Sequence, residues 1–318
     1  MKKIFATLLI VAYMLTATAH AQDILAQKIA QEIQELTAAI TQQPDNAELY
    51  YKRGTAYGNL WQNDSAIQDL CKAIELDPNF YDAYCKLGEV YSHHQQNDLA
   101  IQILGKAIEL KPNDKTAYYS RGQIYDMSAQ FDKAIEDYRK VIELDPNFYQ
   151  AYCELGNSYN NNDQCDLAVQ VLDKAVALQP DTSTAYYYRG MAHSNLEQLD
   201  AAIDDFSKAV ELNPQDKMSY IFRAGIYQRL DRHELAVKDF DKILELDSTL
   251  FDIHYDRAVS YAKLGKYQQA IDDLTEAIKF MSNDPRCYKL RGECYQKLGK
   301  KSKAMVDFAK AHKLNPNI

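Results

Sequence analysis

The chain is poor in the residues from which catalytic and metal sites are usually built. It has eleven glycines, eight prolines, six cysteines, seven histidines and one tryptophan in 318 residues. The glycines form no Gly-x-Gly-x-x-Gly or Gly-x-x-x-x-Gly-Lys run, which excludes the usual phosphate-cradling loops, and no Gly-x-Ser-x-Gly elbow presents a serine nucleophile. No Cys-x-x-Cys spacing occurs, so neither a zinc ribbon nor a dithiol redox centre is expected. His93 and His94 are adjacent and point to different faces of a helix, the wrong arrangement for joint metal binding. Positive charge is also short, and a formal net charge of −9 argues against a nucleic-acid partner. Beyond residue 21 no apolar run approaches the roughly 20 residues that a spanning helix needs.

What is present is repetition. Eight copies of a 34-residue unit run from Ala47 to Ile318 without insertion or deletion, at 47–80, 81–114, 115–148, 149–182, 183–216, 217–250, 251–284 and 285–318. With positions in the unit numbered as columns, column 8 is Gly54, Gly88, Gly122, Gly156, Gly190, Ala224, Ala258 and Gly292, small as expected where two helices cross closely. Column 20 is alanine throughout, from Ala66 to Ala304. Column 24 is bulky, and column 32 carries Pro78, Pro112, Pro146, Pro180, Pro214 and Pro316, which stop a second helix. Column 4 is tyrosine in seven copies and His254 in the other, the copy at 251–284.

Column 7 foretells column 23. Arg53, Arg121, Arg189, Arg223, Arg257 and Arg291 go with Asp69, Asp137, Asp205, Asp239, Asp273 and Asp307, while Leu87 and Leu155 go with Ile103 and Val171. In an antiparallel helix pair turning near column 15 these positions face each other. They are expected to form charge-assisted pairs, exchanged in two copies for apolar ones, and to belong to the scaffold. His193 and His254 replace recurrent tyrosines of columns 11 and 4 and are assigned to packing as well. With no site chemistry outside this pattern and no stretch long enough to hide a second domain, an enzyme is not expected, nor any cofactor or metal.

The pattern resembles the tetratricopeptide repeat family, whose bulky-Leu-Gly, Tyr, Ala, Phe, Ala and Pro positions recur at this period. The resemblance covers nearly the whole chain beyond residue 46 and implies an all-α fold, a right-handed superhelical solenoid of eight helix-turn-helix repeats. It also implies a concave groove lined by first helices, with groove columns mainly 2, 5, 6, 9, 12 and 13. In column 5, Tyr51, Tyr119, Tyr187 and Tyr255 recur on alternate repeats. Around them lie Tyr188, Met191 and Phe222, with Gln123, Asn157, Asn161 and Asn195 as amide partners, and few charges. That composition suits an extended polypeptide, whose backbone amides meet Asn and Gln while its side chains rest on aromatic rings. A glycan is the alternative occupant. A duplication of two repeats, visible in the likeness of 77–85 to 145–153, would give the same alternation without any binding role. The carboxylate clamp by which some family members hold acidic tails is absent, since its positions hold Tyr51, Thr55, Cys85, Lys86, Thr116 and Ser120.

At the start, Met1-Lys2-Lys3, an apolar stretch over 4–18 and Ala19-His20-Ala21 read as a signal peptide over 1–21. Cleavage there would place the chain in the periplasm or outside the cell, and an uncleaved anchor is the alternative. Residues 22–46 carry Leu25, Ile29, Ile33, Leu36 and Ile40 at helical spacing, with Pro44 on the proline column extrapolated backwards, and read as an N-terminal capping helix. At the other end the aliphatic column 28 becomes His312, and Met305, Val306 and Ala309 are left partly uncovered, which favours self-association through the C-terminal helix. The last repeat sets Arg286, Lys289, Arg291, Lys297, Lys300, Lys301, Lys303, Lys310 and Lys313 against only Glu293 and Asp307, a net +7 in a chain of −9, so the remainder carries −16. This basic end is either solvated or a contact site for an anionic envelope surface, an acidic protein or another copy's acidic repeats. Among the cysteines, Cys287 and Cys294 read as small buried hydrophobes and Cys165 as an exposed thiol. Cys71 and Cys85, symmetric about Pro78, are the one credible disulfide, subject to helix rotation. The functional expectation is a non-catalytic interaction scaffold of the cell envelope that binds a protein or peptide. The alternatives are a glycan binder and an assembly factor for a secretion, pilus or outer-membrane complex.

Overall fold

The computed structural model describes residues 24–317, and the expected signal peptide lies outside them. The described residues hold helices and no strand. Helix α1 covers 24–42. First helices of the repeats are α2 (Ala47–Asn59), α4 (Tyr81–His93), α6 (Lys115–Met127), α8 (Tyr149–Asn161), α10 (Ser183–Asn195), α12 (Lys217–Arg229), α14 (Phe251–Lys263) and α16 (Pro285–Lys297). Second helices are α3 (Asn63–Leu76), α5 (Asn97–Leu110), α7 (Phe131–Leu144), α9 (Cys165–Leu178), α11 (Leu199–Leu212), α13 (His233–Leu246), α15 (Tyr267–Phe280) and α17 (Lys301–Leu314). None is long and apolar enough to cross a membrane. The chain forms two compact units, residues up to Ser158 and residues from Tyr159 onward.

Within each unit a first helix packs on its own second helix and on the second helix before it. The alanines of column 20 are buried at the first contact, together with Leu70, Leu104, Tyr138, Phe206, Phe240 and Leu274 of column 24. The small residue of column 8 is required by that bulk. A Cβ added at Gly88 would lie 2.6 Å from Leu104, and one at Gly122 would lie 2.8 Å from Tyr138.

The turn between the two helices uses column 15 in the left-handed conformation in all eight repeats. Gly265 and Gly299 suit it at φ 72° and 73°, but Trp61, Gln95, Ala129, Asp163, Glu197 and Asp231 hold φ between 53° and 60°. Side chains with a Cβ are strained there, by about 1 kcal/mol each.

The six arginine–aspartate pairs form as two parallel bonds each. Arg189 donates from Nε and Nη2 to Asp205 at 3.0 and 2.6 Å, Arg223 to Asp239 at 2.8 and 2.7 Å, and Arg291 to Asp307 at 2.8 and 2.8 Å. Arg53, Arg121 and Arg257 repeat the geometry on Asp69, Asp137 and Asp273. All six aspartates are buried. Tyrosines of columns 4 and 11 flank the guanidinium, as Tyr220 and Tyr227 do at 5.5 and 5.9 Å from Arg223. His254 and His193, which replace such tyrosines, stand beside Asp273 at 3.1 Å and Asp205 at 3.7 Å.

The remaining arginine nitrogen reaches the second helix of the preceding repeat, always at column 25. Arg189 Nη1 donates to Asp173 at 2.7 Å, Arg223 Nη1 to Ser207 at 2.9 Å, Arg257 Nη1 to Asp241 at 2.6 Å and Arg291 Nη1 to Thr275 at 3.2 Å. Arg53 Nη1 makes the same bond to Thr37 of α1 at 3.1 Å, so α1 packs in the manner of a second helix. At Arg121 the column holds Gly105, which has no side chain to offer. Each arginine with such a partner therefore ties three helices, and through them two repeats.

Two outcomes follow for stability. Ala129→Gly should raise the melting temperature, with a gain of about 1 kcal/mol in denaturant titration, because it relieves the left-handed strain. Asp205→Ala should cost about 3 kcal/mol by leaving Nε and Nη2 of the part-buried Arg189 without their carboxylate, Asp173 engaging only Nη1. The double change Arg189→Leu with Asp205→Ile, which copies the Leu87–Ile103 solution, should recover most of that loss. A double variant no more stable than Asp205→Ala would contradict the assignment of the pair as an exchangeable unit.

Candidate partner-binding faces

In the first unit, α4, α6 and α8 wall a cleft of about 440 Å³. Glu89, Ser92 and His93 come from α4, Gln123, Asp126 and Met127 from α6, and Glu154 and Asn157 from α8, with Tyr138 at the floor. Helical spacing puts these residues on one face because columns 6, 9, 12 and 13 lie three or four apart. Met127 stands 69% exposed at the rim. Next to the cleft, Trp61 is also 69% exposed and lies against His93, with ring centroids 5.0 Å apart.

Two carboxylates meet in this cleft. Asp126 accepts hydrogen bonds from Ser158 Oγ at 2.7 Å and Tyr138 Oη at 2.9 Å, yet burial holds its carboxyl above the ordinary aspartate range. Burial also raises Glu154, and the nearby charge of Asp126 raises it further. The groove expected to hold few charges thus carries two neighbouring carboxylates. Reading each column by itself hid the pair. Column 12 of one repeat faces columns 6 and 10 of the next, and Asp126 is the one carboxylate in column 12. The same junction recurs in the second unit with amides, where Asn160 Nδ2 donates to the Tyr188 carbonyl at 2.9 Å and Gln228 Nε2 to Ser260 Oγ at 2.9 Å.

The structure brings Gln123 and Asn157 together in the cleft but places the column 5 tyrosines partly inside the scaffold. Tyr51 packs on Phe80 at 4.9 Å, apart from the cleft. Tyr119 lies between Tyr138 at 5.9 Å and Phe148 at 5.2 Å, and burial pushes its hydroxyl up to about 12. In the second unit Tyr187 touches Tyr188, Phe206 and Phe222, and Phe222 stacks on Phe206 at 5.6 Å with Met191 packed alongside. Tyr255 lies separately beneath Arg286, 5.1 Å from the guanidinium. Asn161 and Asn195 are exposed at the last residues of α8 and α10.

Among the basic residues of the last repeat, Arg286 is taken up by Asp284 at 2.6 Å. Lys300 donates to Gln268 at 2.9 Å, and Lys303 lies 5.5 Å from the Tyr295 ring. Lys289, Lys297 and Lys301 are exposed. The candidate Cys71–Cys85 disulfide is not formed, and all six cysteines are free thiols. Helix rotation turns the two apart, Cys71 toward Tyr91 and Cys85 toward Tyr81. Cys165, expected to be exposed, is buried at the first turn of α9. Cys287 and Cys294 are buried, and burial pushes each thiol up to about 11. Among the described residues no group of three or more His, Cys, Asp or Glu could hold a metal ion.

Family models described as tetratricopeptide repeat match residues 116–148, 183–216, 251–284 and 285–318, residues 137–170, and residues 81–114 and 219–250, and one described as TPR repeat matches 62–95. Among solved structures, a tetratricopeptide repeat protein from Parabacteroides merdae is similar at a TM-score of 0.59 and 18% identity, covering 78% of this chain and 98% of that one. Pseudomonas aeruginosa pilF is similar at 0.57 and 18%, covering 67% and 97%. MamA 41-end from Desulfovibrio magneticus RS-1 is similar at 0.50 and 26%, covering 54% and 96%. No curated protein matches the chain.

The acid pair sets a pH dependence. Asp126 and Glu154 titrate higher in the folded chain than in the unfolded one, so the folded chain binds more protons just above pH 4 and stability falls as pH rises through that window. Glu154→Gln should therefore melt at a higher temperature than the parent at neutral pH, with the gap closing below about pH 4. Equal melting temperatures at pH 7 would contradict the burial of this carboxylate.

Proposed function

The chain belongs to the tetratricopeptide repeat family, and on that premise we propose that it is a non-catalytic envelope scaffold that holds an extended peptide segment of a partner protein. The cleft across α4, α6 and α8 carries this reading. It combines an exposed methionine with two amides, Gln123 and Asn157, that the fold does not use for any hydrogen bond of its own. Peptide backbones need such amides, and apolar peptide side chains need surfaces such as Met127 and Trp61. The envelope location is supported by the leader-like residues 1–21. Glycan binding has less support, because the rings of Tyr51, Tyr119 and Tyr187 are packed against Phe80, Phe148 and Phe222. Assembly of a secretion, pilus or outer-membrane complex is one setting in which such a scaffold would work.

A displayed random-peptide library provides the test. The parent chain should enrich peptides sharing an extended motif, and a variant with Gln123→Ala, Met127→Ala and Asn157→Ala should bind the selected peptide at least about tenfold more weakly. These side chains lie on the surface of the cleft, so its melting temperature should match the parent's. Equal peptide affinity in parent and variant would overturn the assignment of the cleft.

A further inference from the structure

The outer face of α17 breaks the pattern of every other second helix. Column 21 is covered by the following first helix, leaving Ile135 6%, Ile203 8%, Val237 8% and Ile271 3% exposed, but Met305 is 72% exposed. Column 22 is polar in the other seven repeats, whereas α17 carries Val306 there, 69% exposed. Two large apolar side chains thus stand side by side in water, with no described element over them.

The charges around them have the same one-sidedness. On five of the seven earlier second helices the lysine of column 26 bonds a glutamate three residues on, as in Lys72–Glu75, Lys106–Glu109, Lys208–Glu211 and Lys242–Glu245 at 2.8 to 3.0 Å. On α17 these columns are Lys310 and Lys313, and Lys301 and Lys303 add to them. The helix's one carboxylate, Asp307, is buried under Arg291. A two-fold contact of α17 with itself would oppose four lysines to four, so the surface that covers Met305 and Val306 must be acidic.

We propose that the open face of α17 docks on the α4–α6–α8 face of a second copy of this chain. That face is its chemical complement. Met127 at the rim and Trp61 in the adjoining α2–α3 turn offer exposed apolar surface; Asp64 of α3 presents a side chain 94% exposed, and the half-buried Asp126 and Glu154 line the cleft. Trp61 is held there in a left-handed backbone conformation, φ 59°, that a glycine would adopt without strain. Met305 and Val306 rest on Trp61 and Met127, and the lysines face the acids, an attraction that salt screens. The contact joins different surfaces on the two copies, so each added copy leaves one of each open, and assembly proceeds as a chain rather than closing as a dimer. The inference rests on the reading of the cleft as a docking face, and it makes the peptide and the second copy competitors.

The test is sedimentation of the full chain and two surface variants, Met305→Glu with Val306→Glu, and Trp61→Ser with Met127→Lys. At low salt the parent's average mass should rise with concentration past that of a dimer and return to monomer at high salt. Each variant alone should stay monomeric, because one of its two surfaces is lost. Their equimolar mixture should form a one-to-one dimer and stop there. A parent that is monomeric throughout, a mixture that stays monomeric, or a dimer abolished by the α17 variant and indifferent to Trp61 and Met127 would overturn the proposal. Titrating the selected peptide onto the α17 variant separates the two readings. Peptide binding without assembly in the mixture sinks this inference alone, while assembly without peptide binding sinks the peptide reading alone.

Discussion

A part-buried guanidinium on a buried carboxylate, holding two helices of its own repeat and one of the repeat before, is the interaction on which this structure depends. The planar fork of arginine allows it, since Nε and Nη2 close on one carboxylate while Nη1 points elsewhere. Arg189, Arg223, Arg257 and Arg291 use Nη1 on Asp173, Ser207, Asp241 and Thr275. A lysine could not substitute, having a single point charge in place of three directed donors. Because neither member of a buried pair can be removed without stranding the other, the pair is kept or exchanged whole. That is why Leu87 packs with Ile103, and why the sequence sets Val171, not a lone aspartate, at the column that accompanies Leu155. In an array where each repeat touches only its neighbours, stability is the sum of repeat and junction terms, and this one group contributes to both.

Much of this was legible because the repeats align the chain with itself. The pairing of columns 7 and 23 and the small residue of column 8 all appear as columns and all have local physical causes. What depends on the rotation of individual helices did not appear. Cys71 and Cys85 are symmetric about Pro78 in sequence, yet one faces Tyr91 and the other Tyr81. The left-handed turn at column 15 was hidden for a different reason, since Trp61, Gln95 and Ala129 do not advertise the positive φ that Gly265 and Gly299 would. Asp126 and Glu154 escaped because they sit in different columns and meet only across a junction. Contacts between repeats are read along a diagonal of the alignment, and the diagonal from column 12 to column 6 carries the acid pair.

Removing the scaffold from view leaves a short list of side chains without a structural task. Tyr119, Tyr187 and Phe222 leave that list in part, being packed into the junctions they were expected to overhang. Gln123, Met127 and Asn157 stay on it, joined by Trp61 and by the uncovered face of α17. The two surfaces carry opposite charge, one with carboxylates raised by burial and the other with lysines that have lost their usual glutamates. A repeat protein changes its partners by changing such residues while its column grammar is left intact, which is how one fold serves many assemblies.

The central physical claim is that the arginine couples a repeat to its predecessor as well as closing its own helix pair. Native-state hydrogen exchange on the Arg223→Leu, Asp239→Ile double variant addresses it most directly. The pair α12–α13 should keep its protection, since the apolar exchange restores that contact, while amides of α11 near Ser207 should exchange faster than in the parent because the bond to the preceding repeat is gone. Unchanged exchange in α11 would contradict the coupling.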